Sequence, residues 1–112
     1  MNDRPVHAWL ADARYYANQA HQIGRTFDRN ASNDRDYLAI RYCLTVVGEA
    51  LNEVSEDVLA DAPDIPWRQI IALRHRLVHG YWLIDMDIIL QIAHNETEPL
   101  ATALNRLIEK FE

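Results

Sequence analysis

Residues 67–81 read WRQIIALRHRLVHGY, and the interpretation of the whole chain starts from this stretch. At about 100° per residue, Arg74 falls within about 20° of the centre of an apolar helix face. A guanidinium therefore occupies a position where the pattern favours an aliphatic side chain. Burying that charge unpaired is costly, so Arg74 needs a carboxylate, a ligand anion or a water-filled cleft. The face is defined by residues three and four positions apart, namely Trp67, Ile70, Ile71, Leu77 and Val78.

Two interpretations of Arg74 and His79 follow. In the structural one, Arg74 forms a salt bridge inside a helical bundle, and His79 interacts with the dipole at the end of its helix. In the functional one, the guanidinium holds a phosphodiester and stabilises a phosphorane, while a neutral imidazole takes a proton from a hydroxyl. That pair suits attack of an RNA 2′-OH on its own phosphate, which needs no metal. The two residues lie about 140° apart around the helix, so spacing leaves both interpretations open.

His75 and His79 lie one helical turn apart and share a face, which is a spacing that can bind a transition metal. No third ligand and no HExxH motif accompany them in the sequence, so we expect no metal centre and no cofactor. Nucleophile motifs and phosphate-binding glycine loops are equally missing from the sequence.

Helical periodicity extends over the rest of the chain. It predicts a first helix ending near Gly24, and a second from Asn33 or Asp34 to about Asp57. The second helix carries a seam at spacings of three and four and a further apolar face. That helix is therefore expected to be central in the fold. The seam comprises Tyr37, Ile40, Leu44, Val47, Leu51 and Val54, and the further face comprises Leu38, Cys43, Val46 and Ala50.

The acidic stretch 58–65 is predicted to be a turn, and Pro66 then begins the helix that carries Arg74. Asp85 is predicted to cap a fourth helix over 86–94. Residues 95–98 are predicted to interrupt this helix before a last helix begins. No segment has the alternation of a β-strand. The sequence predicts an all-α fold, an antiparallel bundle of four or five helices that forms a single domain over residues 1–112.

Gly48 and Glu49 are unusual within the second helix. A mid-helix glycine costs about 1 kcal/mol relative to alanine, which indicates a close approach of another helix at Gly48. Glu49 lies inside an apolar run and is the candidate partner of Arg74. The alternative is that Glu49 lies on a solvated flank.

Charge and composition limit the classes of function. The net charge of −6 argues against a protein that coats nucleic acid, although 10 of the 11 basic residues are arginines, which suit phosphate contacts. The lone Cys43 cannot form an intramolecular disulfide. We expect a cytoplasmic protein with no membrane partner, because the chain starts without a signal-peptide pattern and has no uncharged apolar run of about 18 residues.

The motif Arg74-His75-Arg76-Leu77-Val78-His79-Gly80-Tyr81 resembles the R-polar-x3-H signature of HEPN domains, in the RX4HXY form of HepT-like toxins. Pro66-Trp67, the run VVGEAL at 46–51 and Ile84-Asp85 are similar to the same family, so the resemblance covers most of the chain. One position departs from the pattern, since the family usually has Asn where this chain has His75.

The resemblance implies a metal-independent endoribonuclease, the toxin of a type VII-like toxin–antitoxin pair. Such toxins are homodimers whose motifs face each other across a cleft. Arg74 and His79 would be the catalytic pair, with His75 and Glu49 in support. Tyr81 matches the tyrosine that a minimal nucleotidyltransferase antitoxin modifies by AMPylation, which would add negative charge and repel RNA.

Two further readings stay open at this stage. In the first, the chain is a non-catalytic HEPN module that binds a nucleotide or the nucleotidyltransferase partner. That module would tolerate replacement of His79 by glutamine, whereas a ribonuclease would not. In the second, the chain is a purely structural helical dimer, and loss of Arg74 would then affect stability alone.

Overall fold

The computed structural model describes residues 4–30, 34–80 and 84–112. These residues form helices and turns without a β-strand, which confirms the all-α prediction. None of the described helices is both long enough and apolar enough to cross a lipid bilayer. The helices are α1 (Val6–Thr26), α2 (Asp34–Asn52), α3 (Glu56–Leu59), α4 (Trp67–His79), α5 (Met86–Gln91), a π-helix (Ile92–Glu96) and α6 (Thr97–Phe111).

The long helices pack antiparallel. Helix α1 contacts α2 and α6, and α2 also contacts α4. Arg14 of α1 donates a 2.8 Å hydrogen bond to Asn105 near the end of α6, whereas the later His21 approaches Glu98 near the start of α6 at 3.3 Å. Helices α2 and α4 are also antiparallel, because Arg41 contacts the carbonyl of Leu77 whereas the later Gly48 contacts the earlier Arg74.

The seam predicted for α2 is at the centre of the core. Leu51 and Ile40 are fully buried, and Val47 is almost so. The core divides into two clusters, one around Leu10, Leu51 and Leu104 and the other around Ile40, Leu77 and Ile89. Because α2 contributes to both clusters, it determines how α1, α4 and α6 are placed.

Two predictions for α2 need correction. The helix ends at Asn52 rather than near Asp57, because the backbone at Ser55 is extended and a short separate helix, α3, follows. The further apolar face is buried only in part. Cys43 and Ala50 are buried, but Leu38 is 59% exposed, because no described helix covers that side of α2.

The predicted interruption at 95–98 is also wrong. Residues 92–96 form a π-helix that connects α5 to α6 without a break, and the Thr97 hydroxyl donates a 2.7 Å hydrogen bond to the Ala93 carbonyl. Pro99 gives a physical reason: its ring would clash with the carbonyl four residues earlier in a regular helix, and a widened turn relieves that clash. The predicted cap is present, since the Asp85 carboxylate accepts a 2.8 Å hydrogen bond from the Asp87 amide.

Candidate active site

Arg74 lies where α4 crosses α2, directly against Gly48. A Cβ at position 48 would overlap the Arg74 Cβ and would lie 3.2 Å from the Ile70 carbonyl oxygen and 3.3 Å from the Arg74 Cγ. The missing side chain of Gly48 therefore lets the two helix backbones approach at this point. This contact fixes the base of the Arg74 side chain and confirms the close approach predicted from the mid-helix glycine.

Glu49 is the ion-pair partner of Arg74. Arg74 Nε lies 2.7 Å from Glu49 Oε2, and the two side chains are 33% and 55% exposed. The Arg74 Nε atom is itself buried, and its N–H direction does not meet hydrogen-bond geometry, so the contact is an ion pair rather than a hydrogen bond. Nε faces the carboxylate while the side chain is one-third exposed, which leaves part of the guanidinium open to an anion from solvent.

His75 and His79 are exposed on α4, and their rings lie close together. Their ring centroids are 4.7 Å apart and the ring planes are inclined at 48°. His79 is the last residue of the helix, and the Gly80 amide still donates a 2.8 Å hydrogen bond to the Arg76 carbonyl. The helix therefore stays wound through His79.

The structure does not bring Arg74 and His79 into contact within one chain. In an unbroken helix, five residues separate them by about 7.5 Å along the axis and about 140° around it. Among the described residues no hydrogen bond, ion pair or ring contact joins the two side chains. The residues that do meet are Arg74 with Glu49, and His75 with His79. Tyr81 lies outside the described residues.

The Arg74–Glu49 ion pair and the two histidines lie on the same flank of the α2–α4 pair. Glu49 follows the contact residue Gly48 by one position, and His75 follows the contact residue Arg74 by one position. In two antiparallel right-handed helices, these next residues turn to the same side. The Glu49–Arg74 ion pair agrees with this geometry. An anion held by Arg74 would therefore lie on the side where the two imidazoles are exposed.

Exposed apolar side chains lie on this flank and form a strip composed of Tyr15, Leu38, Tyr42 and Val78. Leu38, Tyr42 and Glu49 fall within about 40° around α2, and Val78 is one turn from Arg74 on α4. Tyr42 is 61% exposed and Val78 44% exposed. Rings of Tyr15, Tyr16 and Tyr42 form a series of edge contacts, with centroids 5.0 Å and 6.0 Å apart. The apolar strip thus borders the polar site.

Arg41 is a site residue that sequence reasoning missed. Its guanidinium donates a 3.4 Å hydrogen bond to the Leu77 carbonyl and lies 5.7 Å from the centroid of the Tyr37 ring. It therefore binds a backbone carbonyl in the last turn of α4. Arg41 precedes Gly48 by seven residues, so it shares the face of α2 that contacts α4. That heptad spacing is the signal that could have identified it.

Two pKa shifts bear on neighbouring residues. The pKa of Tyr16 is raised, chiefly by Tyr42 and also by burial and other neighbours, which keeps its phenol neutral. Burial raises the pKa of the Cys43 thiol, so Cys43 is a weak nucleophile. Neither residue has the properties of a reacting group.

A groove on the opposite flank of α4 is separate from the residues of the candidate site. It has a volume of about 480 Å³ and lies between α4, α5, the π-helix and the start of α6. Its walls are mostly aliphatic, including Ile70, Leu73, Ile84 and Ile88, with Arg76 at the edge. Arg74, His75 and His79 do not line it, so the groove is separate from the candidate site.

Comparison with known proteins identifies the class. Residues 14–107 match the family model described as "Ribonuclease HepT-like". The chain therefore belongs to the HepT-like ribonuclease family, and the resemblance seen in the motif is confirmed.

Individual relatives agree over most of the chain. It is 30% identical to "Putative RNase MJ0127" of Methanocaldococcus jannaschii over 87 residues, which cover 78% of this chain and 72% of that protein. It is 27% identical to "Putative RNase MJ0125" of the same organism, over 100% of this chain and 98% of that protein. "Probable ribonuclease HepT" of Thermococcus cleftensis is 24% identical over 72% of this chain and 74% of its own length. No solved structure matches the chain with significance.

Proposed function

We propose that this protein is a cytoplasmic, metal-independent endoribonuclease in which Arg74 and His79 carry the chemistry, with Glu49 and His75 in support. The observation that carries the proposal is the Arg74 guanidinium, held at the helix crossing by Gly48 and paired with Glu49 on the flank where His79 is exposed. A guanidinium that is partly exposed at a fixed position can bind an RNA phosphate, whereas a purely structural ion pair does not need this exposure. Family membership supports the same conclusion.

The proposed reaction is an internal transfer at one RNA phosphate. His79 accepts the proton of a 2′-OH, and the 2′ oxygen attacks the adjacent phosphorus. Arg74 stabilises the additional negative charge of the phosphorane. The bond to the 5′ oxygen breaks, and that oxygen takes a proton from a second imidazole in its protonated form, supplied by His75 or by the partner subunit's His79. The products are a 2′,3′-cyclic phosphate and a 5′-hydroxyl.

A homodimer would complete the site. Within one chain Arg74 and His79 point in directions about 140° apart, so a single motif does not surround a phosphate. A two-fold dimer places the same patch of both subunits together. Burial of the apolar strip in such a dimer would set the two motifs opposite each other across a cleft. The exposure of Tyr42 and Leu38 beside the motif supports this arrangement.

Neutralisation by a minimal nucleotidyltransferase antitoxin is the remaining part of the proposal, and makes the protein the toxin of a type VII-like pair. Tyr81 follows His79 by two residues in the sequence. AMPylation of its hydroxyl would add a nucleotide with a negative charge two residues from His79 in the sequence. The added charge would compete for the guanidinium and repel RNA. Replacement of Tyr81 by phenylalanine should prevent modification and leave the ribonuclease active in the presence of the partner.

The test is RNA cleavage in EDTA by protein whose intact mass shows it to be unmodified. Wild type is compared with Arg74→Ala and His79→Ala, and with two controls, Arg106→Ala and His94→Ala, which remove exposed residues of the same types outside the site. We expect cleavage by wild type and both controls, and a loss of at least about 100-fold in the two site variants. Equal cleavage by His79→Ala and wild type would overturn the assignment.

A second function is favoured by the separation of Arg74 and His79 within one chain. The protein would then be a non-catalytic HEPN module that binds a nucleotide or the nucleotidyltransferase through Arg74. This alternative predicts no RNA cleavage by unmodified wild type. It also predicts that His79→Gln retains binding of the nucleotide or partner, whereas Arg74→Ala loses it. Titration with AMP and with the purified partner distinguishes the two functions.

A further inference from the structure

The neighbouring imidazoles of His75 and His79 have a geometry that the proposed chemistry does not require. Both side chains are exposed, and their ring centroids are 4.7 Å apart on consecutive turns of an unbroken helix. We propose that the pair binds a divalent transition-metal ion such as Zn²⁺, and that the bound ion inhibits the ribonuclease by occupying His79. The inhibitory consequence rests on the proposed function, whereas the binding itself does not.

The ring separation fits two imidazoles that bind one ion. A metal–nitrogen bond of about 2.0–2.1 Å places the metal roughly 3.2 Å from the centroid of each ring. At the observed 4.7 Å between centroids, the angle at the metal is then about 95°. This value is close to the right angle of octahedral or tetragonal coordination and about 15° below the tetrahedral angle. Two exposed rings can rotate about their side-chain bonds, so this separation is compatible with one nitrogen of each ring turning to the same ion.

The chain supplies two ligands to this ion and not a complete shell. Within residues 4–30, 34–80 and 84–112, no cluster of three or more His, Cys, Asp or Glu side chains converges to hold a metal. Solvent would therefore provide the remaining ligands, as at the open positions of catalytic zinc sites. Arg74 and Arg76 adjoin His75 in the sequence, and their positive charge weakens cation binding. A site of this kind binds reversibly, which suits control of activity better than a structural role.

Occupancy of the pair and catalysis exclude each other. A metal ion takes the lone pair that a neutral imidazole uses to accept a proton. With the ion bound, His79 cannot act as the base for a 2′-OH, whatever else the RNA contacts. The proposal also predicts which ions bind to the pair and which do not. Imidazole is a good ligand for Zn²⁺ and Ni²⁺, whereas Mg²⁺ prefers oxygen ligands and should neither bind here nor inhibit.

The binding test is a titration of chelator-free protein with Zn²⁺, followed by calorimetry and by the imidazole nitrogen resonances in two-dimensional NMR. We expect the His75 and His79 resonances to shift together, with those of His7, His21 and His94 unchanged. His75→Gln and His79→Gln should each raise the Zn²⁺ dissociation constant by at least about 30-fold. His94→Gln removes an exposed histidine from the π-helix and should leave it unchanged. Equal Zn²⁺ affinity in His75→Gln and wild type would overturn the proposal, as would a titration without shifts at these two residues.

The functional arm measures cleavage of RNA at increasing Zn²⁺. Inhibition should follow the occupancy found by calorimetry and should be reversed by EDTA. In His75→Gln, any residual cleavage should need at least about 30-fold more Zn²⁺ for half-inhibition, while Mg²⁺ has no effect in either protein. Inhibition of His75→Gln at the same Zn²⁺ concentration as wild type would overturn the regulatory role. If unmodified wild type does not cleave RNA, the ribonuclease proposal fails while the titration still decides the metal site.

Discussion

Replacement of Gly48 by alanine tests whether the helix crossing positions Arg74. The new methyl group is attached to the backbone and cannot rotate away from the Arg74 Cβ that it would overlap. Carbon atoms pack at about 3.5–4.0 Å, so α2 and α4 must separate by roughly 1 Å. Such overpacking costs about 1–3 kcal/mol, and the better helix propensity of alanine returns about 1 kcal/mol. The expected net loss is about 0–2 kcal/mol, or a fall in Tm of up to roughly 10 °C.

The loss of activity should be much larger than this loss of stability. A displacement of about 1 Å in a positioned catalytic group can cost about 100-fold in rate. With a typical stability of about 5–15 kcal/mol, the variant stays folded at 25 °C, so a smaller folded fraction does not explain such a decrease. The assay is cleavage per folded molecule, with chemical denaturation of the same preparation. Full activity with an unchanged or higher Tm would show that the close crossing does not hold Arg74.

Gly24 provides the matched control. A Cβ there would lie 3.0 Å from the Ala93 Cβ and 3.2 Å from the Ala93 backbone carbon, a tight contact between α1 and the π-helix rather than between α2 and α4. The crowding and the gain in helix propensity are of similar size, so Gly24→Ala should stay within about 1 kcal/mol of wild type. Its cleavage rate should be unchanged. A similar loss of activity in both variants would point to a general effect of crowding rather than to Arg74.

Four further predictions use other contacts. Glu49→Ala should lower cleavage about 10-fold, because Arg74 loses its positioning partner, but should change the free energy of unfolding by less than about 1 kcal/mol, since the pair is partly exposed. Trp67→Phe should cost about 1–3 kcal/mol by chemical denaturation with activity intact, because it removes the buried 2.9 Å hydrogen bond to the Ala62 carbonyl. Iodoacetamide at about pH 8 should alkylate Cys43 at least about 10-fold more slowly in native than in unfolded protein, because burial raises the pKa of the thiol. The raised pKa also links Cys43 to stability: the contribution of the neutral thiol to the free energy of unfolding is full below the unfolded-state pKa and is lost as pH rises through the folded-state pKa. Tyr42→Glu should shift the proposed homodimer to monomer in sedimentation velocity without changing Tm by more than a few degrees, since Tyr42 is 61% exposed in one chain.

The sequence was sufficient for the buried seam of α2, whereas Val78 of the apolar face predicted for α4 is 44% exposed. Ile40, Val47 and Leu51 repeat at helical spacing and lie in the core, because burial of one face is what holds such helices in place. The same logic found the Arg74–Glu49 pair. A charge within an apolar face must be compensated, and Glu49 follows the glycine at which the helices meet.

Periodicity did not distinguish a buried second face from an exposed one. Leu38 and Cys43 looked equivalent in the sequence, yet Cys43 is 6% exposed and Leu38 59% exposed, because the arrangement of neighbouring helices decides which side is covered. The contact of Arg41 with the end of α4 depends on the same three-dimensional placement. The roles of Arg74, His79, His75, Glu49 and Tyr81 stay predictions, since they concern chemistry rather than packing.

The π-helix over residues 92–96 has a consequence for insertions and deletions. Its bonds span five residues instead of four, so the segment holds one residue more per turn than its neighbours. Deleting one residue there would leave the backbone continuous and helical. The widened turn takes up that extra residue, so α5 and α6 would keep nearly the same relative rotation, but the ring of Pro99 would then clash with the carbonyl four residues earlier. The segment therefore lets one residue more fit between two hydrophobic repeats without changing which faces they bury, and Pro99 constrains the length of this turn.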